Sequence, residues 1–418
     1  MSRRWATVAM LVPSYLVGAF LAPGPAVKPV HEERYARKTV DIVSLPQTTT
    51  DGYSFIGSSG AERFLVTTRQ RWDVSWGDRV ELSGWIAPLG EAAERRMTQQ
   101  GISAQLKTSM EPEVAERGAY IWRLGLAVRS NFLAYSDRLL NSERSALLDA
   151  MCFNHRGDLD LDTSQAFQRS GLAHLMAASG SNILLISAAL FWAGKWLPLP
   201  RWTVLCLISA LLLLYVAAAG MTASVIRAYG MAVLYFLAYG FRREYDSLSA
   251  LSLVFIVNVL LAPMTLFDVG FQISYACLFG LSLYPFDWQS ASRWTFGQRV
   301  QAGVFLALSG WIFSSPLAAY HFHAVPLAGG VATLLAEIPY SLLVWVGMGG
   351  WVVSSVAFGF LNPVIAPIVG IALDFVAGLA RVAASPSVWT SVAPFSVWWL
   401  VVIYGMALIL WRPHWRPA

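Results

Sequence analysis

Residues 167–193 read FQRSGLAHLMAASGSNILLISAALFWA, a polar opening with a histidine, serines and an asparagine that runs without a break into an apolar tail. A helix over 172–193 would be about 33 Å long at 1.5 Å per residue, enough for a hydrocarbon core of roughly 30 Å. The stretch therefore reads as a membrane span. Hydrocarbon offers its polar groups no hydrogen bonds, so they need protein partners or water and face a bundle interior or an aqueous path. His174 and Ser181 fall about 20° apart on a helical wheel. Asn182 joins the same side, and Ser179-Gly180-Ser181 loosens the helix there. Polar glue between helices and pore lining both stay open for this face.

The rest of the chain agrees with a membrane setting. With 56% hydrophobic and 13% charged residues among 418, it is too apolar for one soluble domain and long enough for several spans. Eight more apolar stretches follow, near 202–220, 224–241, 247–262, 266–285, 299–320, 325–347, 352–379 and 395–412. The stretch 352–379 is long and holds Pro363 and Pro367, so it reads as one span or as two short pieces. Residues 1–35 begin MSRRWATVAMLVPSYLVGAFLAPGPA and read as an N-terminal anchor with a span at 4–22, a cleaved signal peptide being the alternative. The fold class is thus a polytopic α-helical membrane protein of about ten spans. Counting from a cytoplasmic N-terminus, alternation places Lys195 with Arg201, Arg242 with Arg243, Arg293 with Arg299, and Arg412 with Arg416 on the cytoplasmic side. That is the positive-inside pattern, which played no part in choosing the spans. Cys152, Cys206 and Cys277 give neither a disulfide framework nor a metal site.

Between the anchor and the bundle lies a segment of different character. Residues 36–115 hold five short strand-like runs, KTVDIVSL, YSFIGS, ERFLVTTR, DRVELSGWIAP and ISAQLKT, separated by turn residues. They predict a small extracytoplasmic β-barrel, and the Gly-Asp turn with a glycine kink at 76–84 looks like an OB-fold hairpin. Such barrels bind single strands through basic grooves and stacked aromatics. Arg63, Arg69, Arg71, Trp72, Trp76, Arg79 and Trp85 are the candidates, against a plainer reading in which Val80 and Trp85 are core and the arginines a solvated face. Residues 116–165 follow as an amphipathic helix over 120–151, on the bilayer surface or on the bundle, and an aspartate-rich loop. An EF-hand begun at Asp158 would need glycine at Thr163 and glutamate at Arg169, so the loop reads as solvated.

Ionisable groups at membrane depth mark a path, a pair or a helix end. Arg227 in GMTASVIRAYGM suits phosphate contact or snorkelling to headgroups. Asp268, Gln272, Tyr275 and Phe279 make a helical stripe, and an Arg227–Asp268 ion pair is one way to satisfy both charges. Thr333, Glu337, Tyr340 and Ser341 make another, and Asp374 lies two turns before Arg381. His321 and His323 read as interface anchors, with no carboxylate near in sequence to complete a metal site. Neither a catalytic residue nor a cofactor is legible.

FQRSGLAHLMAASGSN, the Met221–Met231 segment with Ser224 and Arg227, FDVGFQISYACLFGL and SSPLAAYHFHAVPLAGGVATLLAEIPYSLLV stand in an order that, after one N-terminal span and an OB-like domain, resembles the ComEC-type competence proteins. The resemblance implies an inner-membrane channel domain over 166–418 that passes transforming single-stranded DNA. His174, Ser179, Ser181, Asn182, Arg227, Asp268, Gln272 and Glu337 are the candidate path residues. Implied partners are single-stranded DNA, the lipid bilayer, separate DNA-receptor and motor proteins, and a second copy of the chain. One departure is Ser179-Gly180-Ser181-Asn182 where relatives often carry Ser-Gly-Leu-His. Many members also carry a metallo-β-lactamase-like domain with an HxHxDH motif. These 418 residues hold no such motif and no GxxxxGK[ST] loop, so a short form without hydrolase chemistry is expected. Two rival readings use the same scaffold: a transporter or flippase for a small anionic or lipid-linked solute, and a non-conducting envelope scaffold.

Overall fold

The computed structural model describes residues 33–49, 52–60, 62–70, 72–89, 102–176, 178–282, 295–356, 359–385 and 389–411. The expected anchor span and the residues Arg71, Arg293, Arg412 and Arg416 lie outside them.

All five expected strands form. They are β1 (Arg34–Ile42), β3 (Gly52–Ser59), β4 (Glu62–Thr68), β5 (Arg79–Ala87) and β6 (Ile102–Lys107), joined by the short β2 (Gln47–Thr49) and β7 (Glu113–Glu116) that the sequence did not announce. The order β1-β3-β4-β6-β5 closes on itself through a β1–β5 pairing, and only β4–β6 is parallel. Closure follows from alternation: one side of each strand supplies Val40, Phe55, Phe64, Val66, Val80, Leu82, Ile86 and Leu106 to a shared interior. Gly84 permits the tight β5–β6 approach, since a Cβ there would meet the Lys107 carbonyl at 2.4 Å. Two of the candidate tryptophans part company. Trp72 is buried against Phe55 in the barrel core and offers no face for stacking, whereas Trp85, for which a surface and a core position were both open, is 53% exposed.

The amphipathic region is two helices, α1 (Tyr120–Leu139) and α2 (Ser142–Phe153). Asn141 separates them because its side chain accepts the Arg144 N–H at 3.1 Å and caps a new helix. α2 lies on the bundle and is buried from Ser145 to Phe153. In the aspartate-rich loop, Asp160 caps α3 (Leu161–Arg169), accepting from Asp162 and Thr163 backbone N–H groups.

The first expected bundle span starts later than its hydrophobicity suggests. Gly171 turns the chain at φ +80°, Ala173–Met176 form one 3₁₀ turn, Ser179 is extended, and α4 runs only from Gly180 to Gly194. His174 therefore does not share a helix face with Ser181. The remaining helices are α5 (Arg201–Ala219), α6 (Ala223–Gly240), α7 (Ser247–Leu261), α8 (Val269–Ser282), α9 (Phe296–Phe322), α10 (Gly329–Val356), α11 (Asn362–Ala383) and α12 (Trp398–Trp411). Over the stretch 352–379, the first residues belong to the end of α10, and a single helix restarts at Asn362 with Pro363 in its first turn, where a missing N–H costs nothing.

By length and composition α5, α6, α9, α10 and α11 can cross a membrane, and α4 and α7 are shorter apolar helices. Contacts join the ends that alternation predicts to be neighbours. β8 (Ala324–Pro326) pairs with β9 (Trp389–Ser391) between the α9–α10 and α11–α12 loops, and Arg201 at the start of α5 donates to the Gly240 carbonyl at the end of α6. The chain is a multi-pass membrane protein with a closed five-stranded barrel beside the bundle.

Candidate functional site: a polar seam through the helix bundle

Asn182 is fully buried, so its amide must find every partner inside the protein. Its Nδ2 donates to the Met151 carbonyl at 2.9 Å and to the Tyr215 hydroxyl at 3.0 Å, while its Oδ1 accepts from the Tyr340 hydroxyl. Tyr215 in turn donates to the Cys152 carbonyl at 2.6 Å. The two carbonyls belong to the last turn of α2, where four carbonyls lack intrahelical partners. One asparagine thus clasps α2, α4, α5 and α10. Of the two readings open for this face, these bonds are of the interhelical kind. Its neighbours Ser179 and Ser181 bond each other at 2.5 Å and stay partly accessible.

Arg227 occupies the second turn of α6 and points back toward the helix start, as long helical side chains do. Its guanidinium bonds Ser274 of α8 and, at 3.3 Å, Ser224, and sits 5.4 Å from the Tyr275 ring centroid. The expected ion pair with Asp268 does not form: among the described residues no carboxylate lies within ion-pair distance of Arg227. Asp268 instead caps α8, accepting from the Phe271 N–H at 2.7 Å, a local bond that satisfies its carboxylate without a cation.

Farther along α8, Gln272 accepts from His321 Nε2 at 2.8 Å and donates to the Leu266 carbonyl at 2.8 Å, which locks the end of α9 to the start of α8. His321 is thus half-buried and tied to a neighbouring helix. Glu337 is exposed on α10 and has no hydrogen-bond partner among the described residues. His174 is exposed as well, with Nδ1–H donating to the Gly171 carbonyl at 3.0 Å. Asp374 and Arg381 do not pair with each other. Arg144 grips Asp374 with two bonds of 2.9 and 2.6 Å, and Arg381 meets Glu143 at 3.0 Å, so both pin α2 to α11.

The seam therefore has two connected parts. Ser179, Ser181, Asn182 and Tyr340 form one, while Arg227, Ser224, Ser274 and Tyr275 form the other, which meets the first where Gly180 packs on Arg227. Sequence reasoning missed Tyr215, Ser274 and the closing role of Tyr340. The signal for Ser274 was its position in the stripe beside Tyr275, but serines in apolar helices are common.

On the barrel, several candidates are already occupied. Arg79 pairs with Asp41 at 2.7 Å and Glu116 at 3.1 Å, and Trp76 packs on Trp122 of α1. Arg63 is partly buried, and Arg69 is exposed without an ion-pair partner among the described residues. Strand register instead sets Tyr35, Trp85 and Lys107 side by side across β1, β5 and β6, all exposed, with the two rings edge to face at 5.7 Å. Among the described residues no group of three or more His, Cys, Asp and Glu side chains could hold a metal ion.

Comparison with known proteins gives a consistent result. A family model described as "Competence protein" matches residues 151–417. The chain is also similar to ComE operon protein 3 of Bacillus subtilis (strain 168), with 29% identity over 198 residues. That stretch covers 47% of this chain and only 25% of the relative. No solved structure matches.

Proposed function

The chain belongs to the competence protein family, and from that premise we propose that it is a channel of the bacterial cytoplasmic membrane for uptake of transforming single-stranded DNA. The observation that carries the reading is the family match over 151–417, which falls on α2 to α12, the part that holds the buried polar seam. The seam supports it physically. A lone cation among hydroxyls near helix starts suits a polyanion better than a cationic or apolar solute. The barrel, read as OB-like from its five closed strands, would sit on the outer side and present Tyr35, Trp85 and Lys107 to unstacked bases.

A motor and a DNA receptor supplied by other proteins are part of the same proposal, as no nucleotide-binding phosphate loop stands in these 418 residues. Association of two or more copies belongs to the same proposal. The test is cytoplasmic accumulation of labelled DNA in a transformable host with and without this chain. Loss of uptake on deletion, restored by the chain in trans, is expected. Equal uptake would overturn the reading and favour transport of a small anionic or lipid-linked solute, or an envelope scaffold.

A further inference from the structure

Arg227 is 4% exposed, and its Nε is buried without any hydrogen-bond acceptor. A charge taken out of water is costly unless it is paired, and the described residues bring no carboxylate to it. What surrounds it makes the imbalance worse. Gly180 opens α4 directly against the guanidinium: a Cβ on that residue would lie 3.4 Å from Arg227 Nη2. The first N–H groups of a helix lack intrahelical partners and carry the positive end of its dipole. Neither α4 nor α6 starts with a side-chain cap, and the hydroxyl of Thr222, at the α6 start, is buried and unpartnered. A buried cation, a buried orphan hydroxyl and two uncapped helix starts share one corner of the bundle. Every one of these is a donor or a positive charge, so an anion is the missing component.

We propose that this corner is a phosphodiester-binding station in which Arg227, Ser224 and Ser274 hold one phosphate of the passing strand against the first turn of α4. The inference rests on the DNA-uptake reading and deepens it by assigning the site and the chemical group. A diester carries one negative charge, matching the single arginine. The neutral serine hydroxyls accept from the guanidinium at rest and rotate to donate to the phosphate when it arrives. Hydroxyls give up an anion more readily than further cations would, as conduction requires.

The experiment uses the full chain in phosphate-free maltoside micelles, with dimethyl phosphate as probe and sodium chloride at matched ionic strength as control. Dimethyl phosphate is expected to raise the thermal unfolding midpoint, with half-saturation shifted about tenfold or more to higher concentration by Arg227→Gln, as for loss of a charged hydrogen bond. Arg227→Lys should fall between. Should Arg227→Gln not fold, the Ser224→Ala/Ser274→Ala double variant keeps the charge and is expected to weaken dimethyl phosphate several-fold. No response beyond chloride, or an equal response in the variants, would overturn the proposal. Oligothymidylate and short-chain phosphatidylglycerol separate the sources of the group. A response to the oligonucleotide supports the strand, and a response to the lipid alone overturns it. The two readings fail separately: normal uptake by Arg227→Gln cells sinks the station and leaves the channel, whereas dimethyl phosphate binding with uptake unchanged on deletion sinks the uptake reading.

Discussion

Asn182 shows how much a single buried amide can fasten. It lies 33 residues from Tyr215 and 158 from Tyr340 in sequence, and it joins them at the carbonyl end of α2. Replacing it by alanine strands the Tyr340 hydroxyl and the Met151 carbonyl, each costing about 1–3 kcal/mol when left unpaired in an apolar interior, while the Tyr215 hydroxyl keeps its bond to the Cys152 carbonyl. Asn182→Ala is therefore expected to lower stability by several times that of a surface change, and Tyr340→Phe by roughly 1–3 kcal/mol, since it strands only the asparagine Oδ1. Detergent-solubilised unfolding midpoints measure both. Equal midpoints for wild type and Asn182→Ala would contradict the clasp. The sequence did mark Asn182 as polar at membrane depth. Its partners were not legible, because tyrosines 33 and 158 residues away carry no local sign of a hydrogen bond. Arg227 is the reverse case. Its charge was plain in the sequence, and only the packing shows that the acid expected to neutralise it is spent capping α8.

At the scale of elements, α2 was the least legible piece. Its pattern joined it to α1 as one surface helix, yet it is a buried strut with Asp149 at its centre, 3% exposed and accepting from Ser136 at 2.6 Å. Burial holds the Asp149 carboxyl up to about 8, with Asp137 and Asp158 adding to the rise while the Ser136 bond and Arg129 oppose it. The folded protein keeps a proton there that the unfolded chain releases near its ordinary value, so this contribution to stability is full below about pH 4 and is lost as pH rises toward 8. Nearby His155 works in the opposite sense. Burial and then Arg129 push its imidazole down, so its contribution is present above the ordinary histidine range and lost as pH falls. Asp149→Asn is expected to flatten the decline of the unfolding midpoint between pH 5 and 8, and an unchanged slope would count against a buried neutral Asp149. The ion pairs that pin α2 to α11 are exposed by comparison, and an Arg144/Asp374 double-mutant cycle should return about 1 kcal/mol or less. Strands were read well because alternation over five short runs is a local signal. The start of α4 was misread because hydropathy does not register that Gly171 and Ser179 turn the chain before the helix begins.

For the whole molecule, the proposed uptake of DNA raises the question of how a barrel of mixed charge could gather a polyanion. Within 36–115 the acids slightly outnumber the bases, so counterion release cannot come from net charge. Arg37, Lys38 and Arg79 are tied to Glu81, Glu62 and Asp41 in cross-strand ion pairs. Arg34, Arg69 and Lys107 have no ion-pair partner among the described residues. Three cations on a single strand give a slope of log K against log salt of about −2, at roughly 0.7 per phosphate. The aromatic pair must then carry much of the affinity: base stacking is worth about 1–3 kcal/mol per base. Binding of a fluorescent oligothymidylate by the full chain is therefore expected to weaken only gently with salt, and Trp85→Ala to cost about 5- to 150-fold in affinity at any salt concentration, while Lys107→Gln makes the slope shallower by about 0.7. Trp72→Ala is a poor probe, because that ring fills the barrel core and its loss acts on folding first. A slope steeper than about −4, which would require roughly six phosphate contacts, or full affinity in Trp85→Ala, would remove the Tyr35–Trp85–Lys107 row from the path of the DNA and leave the barrel as an assembly surface.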